Sequence, residues 1–288
     1  MSVTRYRLLL FAAAFLFSTG GAAIKACSLS SWQIACFRSG IAALTVAWLL
    51  PEARQIVRPR IFLVGCSYAA TVVLFVVATK LTTAAQAIFL QSTAPLYLLL
   101  LAPLVLRERI RRSQLVTVAF VAAGAVLLLF GEQRAGTTAP DPIRGNWLGA
   151  VCGFTWALTM TGFRWLAKHG GESESPAAVV VAGNIIGFAV SLPMALPVVH
   201  AAPVDMGVLL YLGVFQIGVP YMAVTRSIRH VPAVEATTLL LLEPVFNPIW
   251  TWLLYGEKLT AATLAGGACI VCATFGSTLY QARQTAVQ

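Results

Sequence analysis

The sequence predicts an all-α polytopic membrane protein with ten transmembrane helices in two inverted five-helix repeats. Three observations carry that expectation. Of the 288 residues, 59% are hydrophobic and only 10% charged, with a mean hydropathy of +0.82; a soluble domain carries roughly 25% charged residues. Apolar runs recur at close to the length a helix needs to cross about 30 Å of hydrocarbon, some 20 residues. The chain also repeats itself: a shift of 149 residues places Ala84 on Ala233, Ala87 on Ala236, Pro95 on Pro244 and Glu108 on Glu257. The short apolar/polar alternation of a membrane barrel is absent.

The expected spans are 7–26, 31–50, 60–79, 84–105 and 112–131, then 146–167, 175–197, 206–226, 233–254 and 260–280. A Gly/Pro/Thr-rich segment, 132–145, links a first repeat at 1–131 to a second at 146–288 and is expected outside. An odd number of crossings per repeat turns the second copy upside down relative to the first. Span one, with Arg5 and Arg7 ahead of LLLFAAAFLF, has the outline of a signal peptide. Its match to span six at a shift of 139 residues, which sets Phe17 on Trp156 and Lys25 on Arg164, argues that it is retained.

Charge fixes the orientation. With the N-terminus inside, fourteen Lys/Arg fall on the cytoplasmic side and five outside (Lys25, Lys80, Arg134, Arg144 and Lys258), leaving Arg38 within span two. This bias places both termini in the cytoplasm and the protein in the inner (plasma) membrane. The net charge of +10 is therefore a topology signal, and no nucleic-acid partner is expected. No phosphate-binding loop, dinucleotide fingerprint or H-E-x-x-H occurs, and His169, His200 and His230 are placed in loops. No cofactor and no metal are expected. Cys269 and Cys272 have CxxC spacing inside an apolar span without charged neighbours, which reads as small-residue packing.

The centre of the molecule is expected where two long apolar segments are broken by a proline at matching positions, Pro95 in span four and Pro244 in span nine. Interrupted segments in corresponding places of two halves point to a transporter's binding site. Each proline frees the carbonyl four residues before it, Gln91 and Leu240, and a freed carbonyl at membrane depth must face protein or a watered cavity. The polar side chains that go with this cavity are Ser67, Tyr68 and Thr71 on span three, and Gln91 and Ser92 on span four. Trp156 and Thr159 on span six, Gln216 and Tyr221 on span eight, and Glu243 and Asn247 on span nine complete the set. Phe17, Tyr68, Trp156 and Tyr221 are read either as substrate contacts or as core packing. Arg38 is read as snorkelling, as half of a structural pair, or as functional. Spans five and ten, with Ala265-Gly266-Gly267-Ala268 on the latter, serve as packing braces.

Glu243 is the only acidic residue deep within an expected span, and its repeat counterpart is Ala94. A carboxylate at that depth costs several kcal/mol unless paired, watered or protonated. Its open roles are ammonium binding, proton coupling, or a fixed pair with a basic residue or backbone donor.

The stretch LLLLEPVFNPIWTWLLYGEKLTAATLAGGACIV resembles the second-repeat signature of the drug/metabolite transporter superfamily, in its ten-helix EamA-type branch. The first repeat carries a weaker version, with Ala94-Pro95 for Glu243-Pro244 and Arg107-Glu108-Arg109 for Gly256-Glu257-Lys258. The resemblance implies a monomeric membrane exporter or facilitator of amino acids or similar small metabolites, working by alternating access. One branch exports aromatic amino acids, with which Phe17, Tyr68 and Trp156 are compatible. The alternatives are a carrier of another small solute (a nucleotide-sugar, lipid precursor or drug) on the same fold and, more remotely, an intramembrane enzyme.

Overall fold

The computed structural model describes residues 3–107, 112–131, 135–169, 174–199, 201–227, 230–231 and 233–286. It is an all-helical bundle of ten crossings, whose lone bridge among the described residues joins Gly136 to Ala139. The first repeat contains α1 (Thr4–Ala26), α2 (Ser31–Leu49), α3 (Pro59–Leu81), α4 (Ala84–Leu106) and α5 (Arg112–Phe130). The second contains α6 (Pro142–His169), α7 (Pro176–Ala195), α8 (Pro203–Ser227), α9 (233–255) and α10 (Ala261–Ala286). Seven of these are long and apolar enough to cross a membrane by length and composition; 114–130 of α5 is apolar but shorter. The sixth helix starts at Pro142, inside the expected linker, and His169 closes it rather than standing in a loop. His200 lies outside the described residues.

Helix starts follow local chemistry. Ser30 and Gln33 form a capping box ahead of α2, while the Thr83 and Ser175 side chains accept from Gln86 N and Ala178 N at the starts of α4 and α7. The fourth and ninth helices end alike: Arg107 at φ 54° and Gly256 at φ 63° both take the left-handed cap conformation, at positions matched by the 149-residue shift. Repeat symmetry thus extends to single backbone angles, although only one copy uses the residue that takes this conformation without strain.

Four helices break or widen partway along their length. The first breaks at Thr19, the fourth at Ser92–Thr93 just ahead of Pro95, and the ninth at Leu241 ahead of Pro244. In α8, Pro220 cannot donate to the Gln216 carbonyl, and the eight residues Tyr211–Gly218 widen into π turns. The sixth helix runs unbroken for 28 residues. The outer helices α5 and α10 pack along each other, Gly124 against Gly266, as braces.

The two ends of the bundle differ. One end holds the N-terminus, Arg60 and Arg226 and is called here the terminal face; the opposite, far face holds Lys25, Asp205 and Glu257. The far half contains a single apolar core that includes Ile24, Leu29, Phe75, Ile88, Leu90, Leu128 and Leu212. The terminal half contains two: one around Ile61, Tyr68, Leu166 and Val180, the other around Leu10, Val231 and Ala236. Accordingly, the second part of α9 packs on the first part of α4, whereas the second part of α4 leaves it to pack on α6 and α5. Among the described residues the apolar core is continuous in the far half and divided in the terminal half.

Candidate functional site

The site is built on the break in α1. There the Ser18 hydroxyl donates back to Phe15 O at 2.6 Å and the Thr19 hydroxyl to Leu16 O at 2.7 Å. Such back-bonding by hydroxyls competes with the regular helical ladder and bends it. Neighbouring helices hold the bent segment: Trp250 Nε1 donates to Ser18 Oγ at 2.9 Å, and Gln216 Nε2 to Phe17 O at 3.4 Å. The glycines at 20 and 21 let these amide-bearing helices approach. A Cβ at Gly20 would stand 2.7 Å from Gln216 Nε2, and one at Gly21 2.6 Å from Asn247 Oδ1.

Above the break lies an aromatic cluster. The Phe17 and Tyr221 rings meet edge-on at 5.3 Å and Tyr221 meets Tyr68 at 6.0 Å, with Trp156 packed against the same core. Tyr68 is buried, while Phe17, Trp156 and Tyr221 keep intermediate exposure. The Tyr68 hydroxyl also receives Asn184 Nδ2 at 3.5 Å. Three of the four aromatics named from sequence thus touch in series across α1, α3 and α8.

Glu243 opens the second part of α9, in the first turn after the break. The unsatisfied N–H groups of such a turn favour negative charge. Its side chain is half-buried and lies within electrostatic reach of Tyr221. Among the described residues nothing donates to its carboxylate and no cation pairs with it. Its counterpart Ala94 is buried. Pro244 is buried beside it and Pro95 half-buried.

The remaining candidates are distributed differently. Gln91 and Ser92 are half-buried at the break in α4, and the Ser92 hydroxyl is occupied by Ile88 O at 2.8 Å. That break docks on α6 at Gly153, where a Cβ would stand 2.6 Å from Leu90 O and 3.3 Å from Gln91 O, so the freed carbonyl faces protein. Thr159 is fully buried in the seam between α3 and α6. There its hydroxyl donates to Thr155 O at 2.9 Å and lies 3.2 Å from Ser67 Oγ, while Thr71 and Thr155 hydroxyls meet at 3.0 Å. The hydroxyl stripe on α3 thus serves helix packing, because a buried hydroxyl in an apolar bundle seeks its nearest partner. Asn247 is fully buried against α1 with both amide atoms unpartnered. Arg38 does not snorkel: it is 2% exposed, and Nη2 donates to Val72 O at 2.9 Å.

The far face is closed by buried polar ties that sequence reading did not pair. Lys25 at the end of α1 pairs with Glu257 at 3.5 Å and also donates to Thr82 O at 2.7 Å and to Thr138 O. Glu257 in turn accepts from Ala84 N at 3.1 Å. Lys80 donates to Cys27 O at 2.6 Å, and the Asp205 carboxylate takes the Ser28 N–H at 2.7 Å and its hydroxyl at 2.6 Å. The repeat match had flagged Lys25 and Glu257 separately. On the terminal face Arg7 meets Glu235 at 2.5 Å with both side chains partly exposed, Arg60 meets Glu174 at 3.5 Å, and Tyr6 stacks on His230 at 4.0 Å. Exposed pairs contribute about 0–1 kcal/mol.

Ten crossings in two inverted repeats, broken helices α1, α8 and α9 packed together, and a far end held by buried polar ties are the build of a membrane transporter. The sequence profile of the EamA-like transporter family matches residues 4–130 and again 143–279, and the chain belongs to that family. It is 28% identical over 275 residues to the pseudopaline exporter CntI of Pseudomonas aeruginosa, covering 92% of this chain and 93% of that one. It is also 27% identical to an uncharacterized transporter of Archaeoglobus fulgidus, over 70% of this chain and 69% of the relative. A crystal structure of a protein only 19% identical superposes with a TM-score of 0.66 over 98% of this chain and 99% of that one, a likeness of fold alone.

Proposed function

We propose that this transporter exports amino acids or similar small metabolites that carry an ammonium group. The observation that carries the reading is Glu243: a half-buried carboxylate at the break in α9, without a hydrogen-bond or ion-pair partner among the described residues. A carboxylate placed at that depth is an expensive feature that a cationic group of the solute would offset. The half-buried aromatic side chains Phe17, Trp156 and Tyr221 suit an apolar or aromatic side chain of the solute. The half-buried Gln91 and Ser92 complete the proposed lining, with Asn247 behind it against α1, and the breaks at Pro95 and Pro244 allow the halves to rock about it.

The terminal face is read as cytoplasmic and the membrane as the inner membrane, on the fourteen-to-five bias of basic residues. The terminal half, with its divided core, is then read as the loading side, as export requires. The repeats are taken as 1–131 and 146–288, acting as a monomer without a cofactor. The test is efflux of radiolabelled amino acids from proteoliposomes containing the purified chain; if no member of a broad amino-acid panel moves faster than from empty vesicles, the reading fails. A second reading, export of a larger amino-acid-like metabolite, is favoured by the likeness to the pseudopaline exporter, and the same vesicles distinguish it.

A further inference from the structure

A groove of about 910 Å³ opens on the flank of the bundle, apart from the break in α1. It exists because α7 and α8 both pack on α2 but scarcely on each other, which leaves a strip of α2 uncovered. Phe37, Ile41, Leu44 and Ala47 follow one another at three- and four-residue steps along that strip, with Ile185 of α7 and Met206 of α8 beside them. Leu44 stays 76% exposed there. The two ends of the groove carry opposite charges. At the far end lies the buried Asp205, whose carboxylate is taken by Ser28 and by Ala202 N at 2.8 Å. At the terminal end lies the exposed Arg54, on the short turn Pro51–Arg54 that follows α2. Its Nε donates to Ala47 O at 2.8 Å. That bond holds the guanidinium against the last turn of α2, and among the described residues Nη1 and Nη2 have no acceptor. Glu52 on the same turn is exposed and forms no ion pair with it, and Arg58 adds a second exposed cation four residues on.

We infer that this groove holds an anionic glycerophospholipid drawn from the leaflet at the terminal face. Its phosphate accepts from the Nη groups of Arg54, and an acyl chain lies along α2 over Leu44 and Ile41 toward Phe37. A guanidinium with two donors free at a membrane edge suits a phosphate, and basic side chains there attract anionic lipids. The charge at the other end sets the direction, since an anionic headgroup of the opposite leaflet meets Asp205 instead. Size separates a lipid from a helix of a second copy. A crossing helix 30 Å long and 10–12 Å across fills on the order of 2,500 Å³ or more, well beyond what the groove offers. Apolar contact alone does not retain a particular lipid, because one acyl chain is as apolar as the next and as the side chains it touches. Selectivity therefore rests on Arg54, and the strip of α2 supplies only the seat. A lipid seated there bridges α7 and α8 on a flank where the protein leaves them apart.

Native mass spectrometry of the full-length protein, with its thermal midpoint in detergent, tests the assignment. The probes are phosphatidylglycerol, phosphatidylcholine of identical acyl chains, and inorganic phosphate. The wild type should bind phosphatidylglycerol with an apparent Kd about fivefold below that of phosphatidylcholine, the scale of one basic contact near the surface. Phosphatidylglycerol should also raise its thermal midpoint, and phosphate alone should not. Arg54→Gln should bring the two lipids level, while Arg54→Lys should keep most of the preference. Ile185→Trp fills the groove, leaves Arg54 in place, and should weaken both lipids. Equal retention of the two lipids by the wild type, or an unchanged preference in Arg54→Gln, overturns the inference. So does protection by phosphate alone, which marks a surface anion site, or a dimer that Ile185→Trp abolishes, which marks a second copy as the occupant. Should Arg54→Gln not fold once its tie to Ala47 is lost, Ile185→Trp decides alone, and undiminished phosphatidylglycerol binding in that variant overturns the inference.

Discussion

Lys25 and Glu257 lie 3.5 Å apart, nitrogen to oxygen, with side chains only 4% and 2% exposed. They join the end of the first crossing of one repeat to the turn after the fourth crossing of the other. The same two residues take hold of Thr82 O, Thr138 O and Ala84 N, so one ion pair gathers α1, the end of α3, the start of α4 and the linker.

Removing one partner of a buried ion pair strands the other charge and costs about 3–5 kcal/mol. Glu257→Gln is therefore expected to lower the thermal midpoint in detergent and to admit a thiol reagent to a cysteine placed at Ala84. Lys25→Met combined with Glu257→Gln should recover part of the loss. A single variant as stable as wild type, with Ala84→Cys still protected, would show that the pair does not hold the far face.

Glu243→Gln keeps volume and hydrogen bonding and removes the charge. It should reach the membrane folded, and its transport of zwitterionic amino acids should drop by about tenfold or more, the scale of a lost charge-assisted bond. Wild-type rate and wild-type pH dependence in this variant would exclude the carboxylate's charge from the mechanism.

The break in α4 sits on Gly153 at sub-contact distance for any added carbon. Overpacking a fitted seam costs about 1–3 kcal/mol. Gly153→Leu should reduce the folded yield and transport together, whereas Gly276→Leu, with open space around it, should change neither. Equal behaviour of the two variants in size-exclusion yield and efflux would refute the docking.

Orientation is checked at Arg107, an exposed residue at the end of α4. In a background lacking the six native cysteines, Arg107→Cys should resist an impermeant maleimide in intact cells and react after permeabilisation. Labelling from outside would reverse the proposed topology.

Much of the architecture could be read from the chain because hydrophobic length and repeated breaks are local properties. The prolines at 95 and 244 announced the interruptions in α4 and α9, and the 149-residue shift announced their equivalence. What escaped depends on tertiary proximity. Thr159 was expected toward the cavity, yet hydroxyls on α3 and α6 found each other first. Lys25 and Glu257 are separated by most of the chain, and their pairing leaves no local mark. Arg38 was visible as a charge in a span, but its lone carbonyl partner on α3 was not. The break at Thr19 has no proline to signal it, and Gly20-Gly21 with the preceding Ser18-Thr19 is the trace that could have.

The contrast between a single core at the far half and a divided one at the other has a mechanical consequence. A bundle tied by a buried ion pair at one end and divided in its core at the other behaves as a lever with its fulcrum at the tie. From Ala84 to Leu106 the fourth crossing spans 23 residues, about 34 Å at 1.5 Å per residue. A tilt of roughly 10° about the tied end then sweeps the free end by about 6 Å, with side chains near the fulcrum barely displaced. The energy that sets the swing is thus stored at the opposite end of the molecule from the aperture it widens.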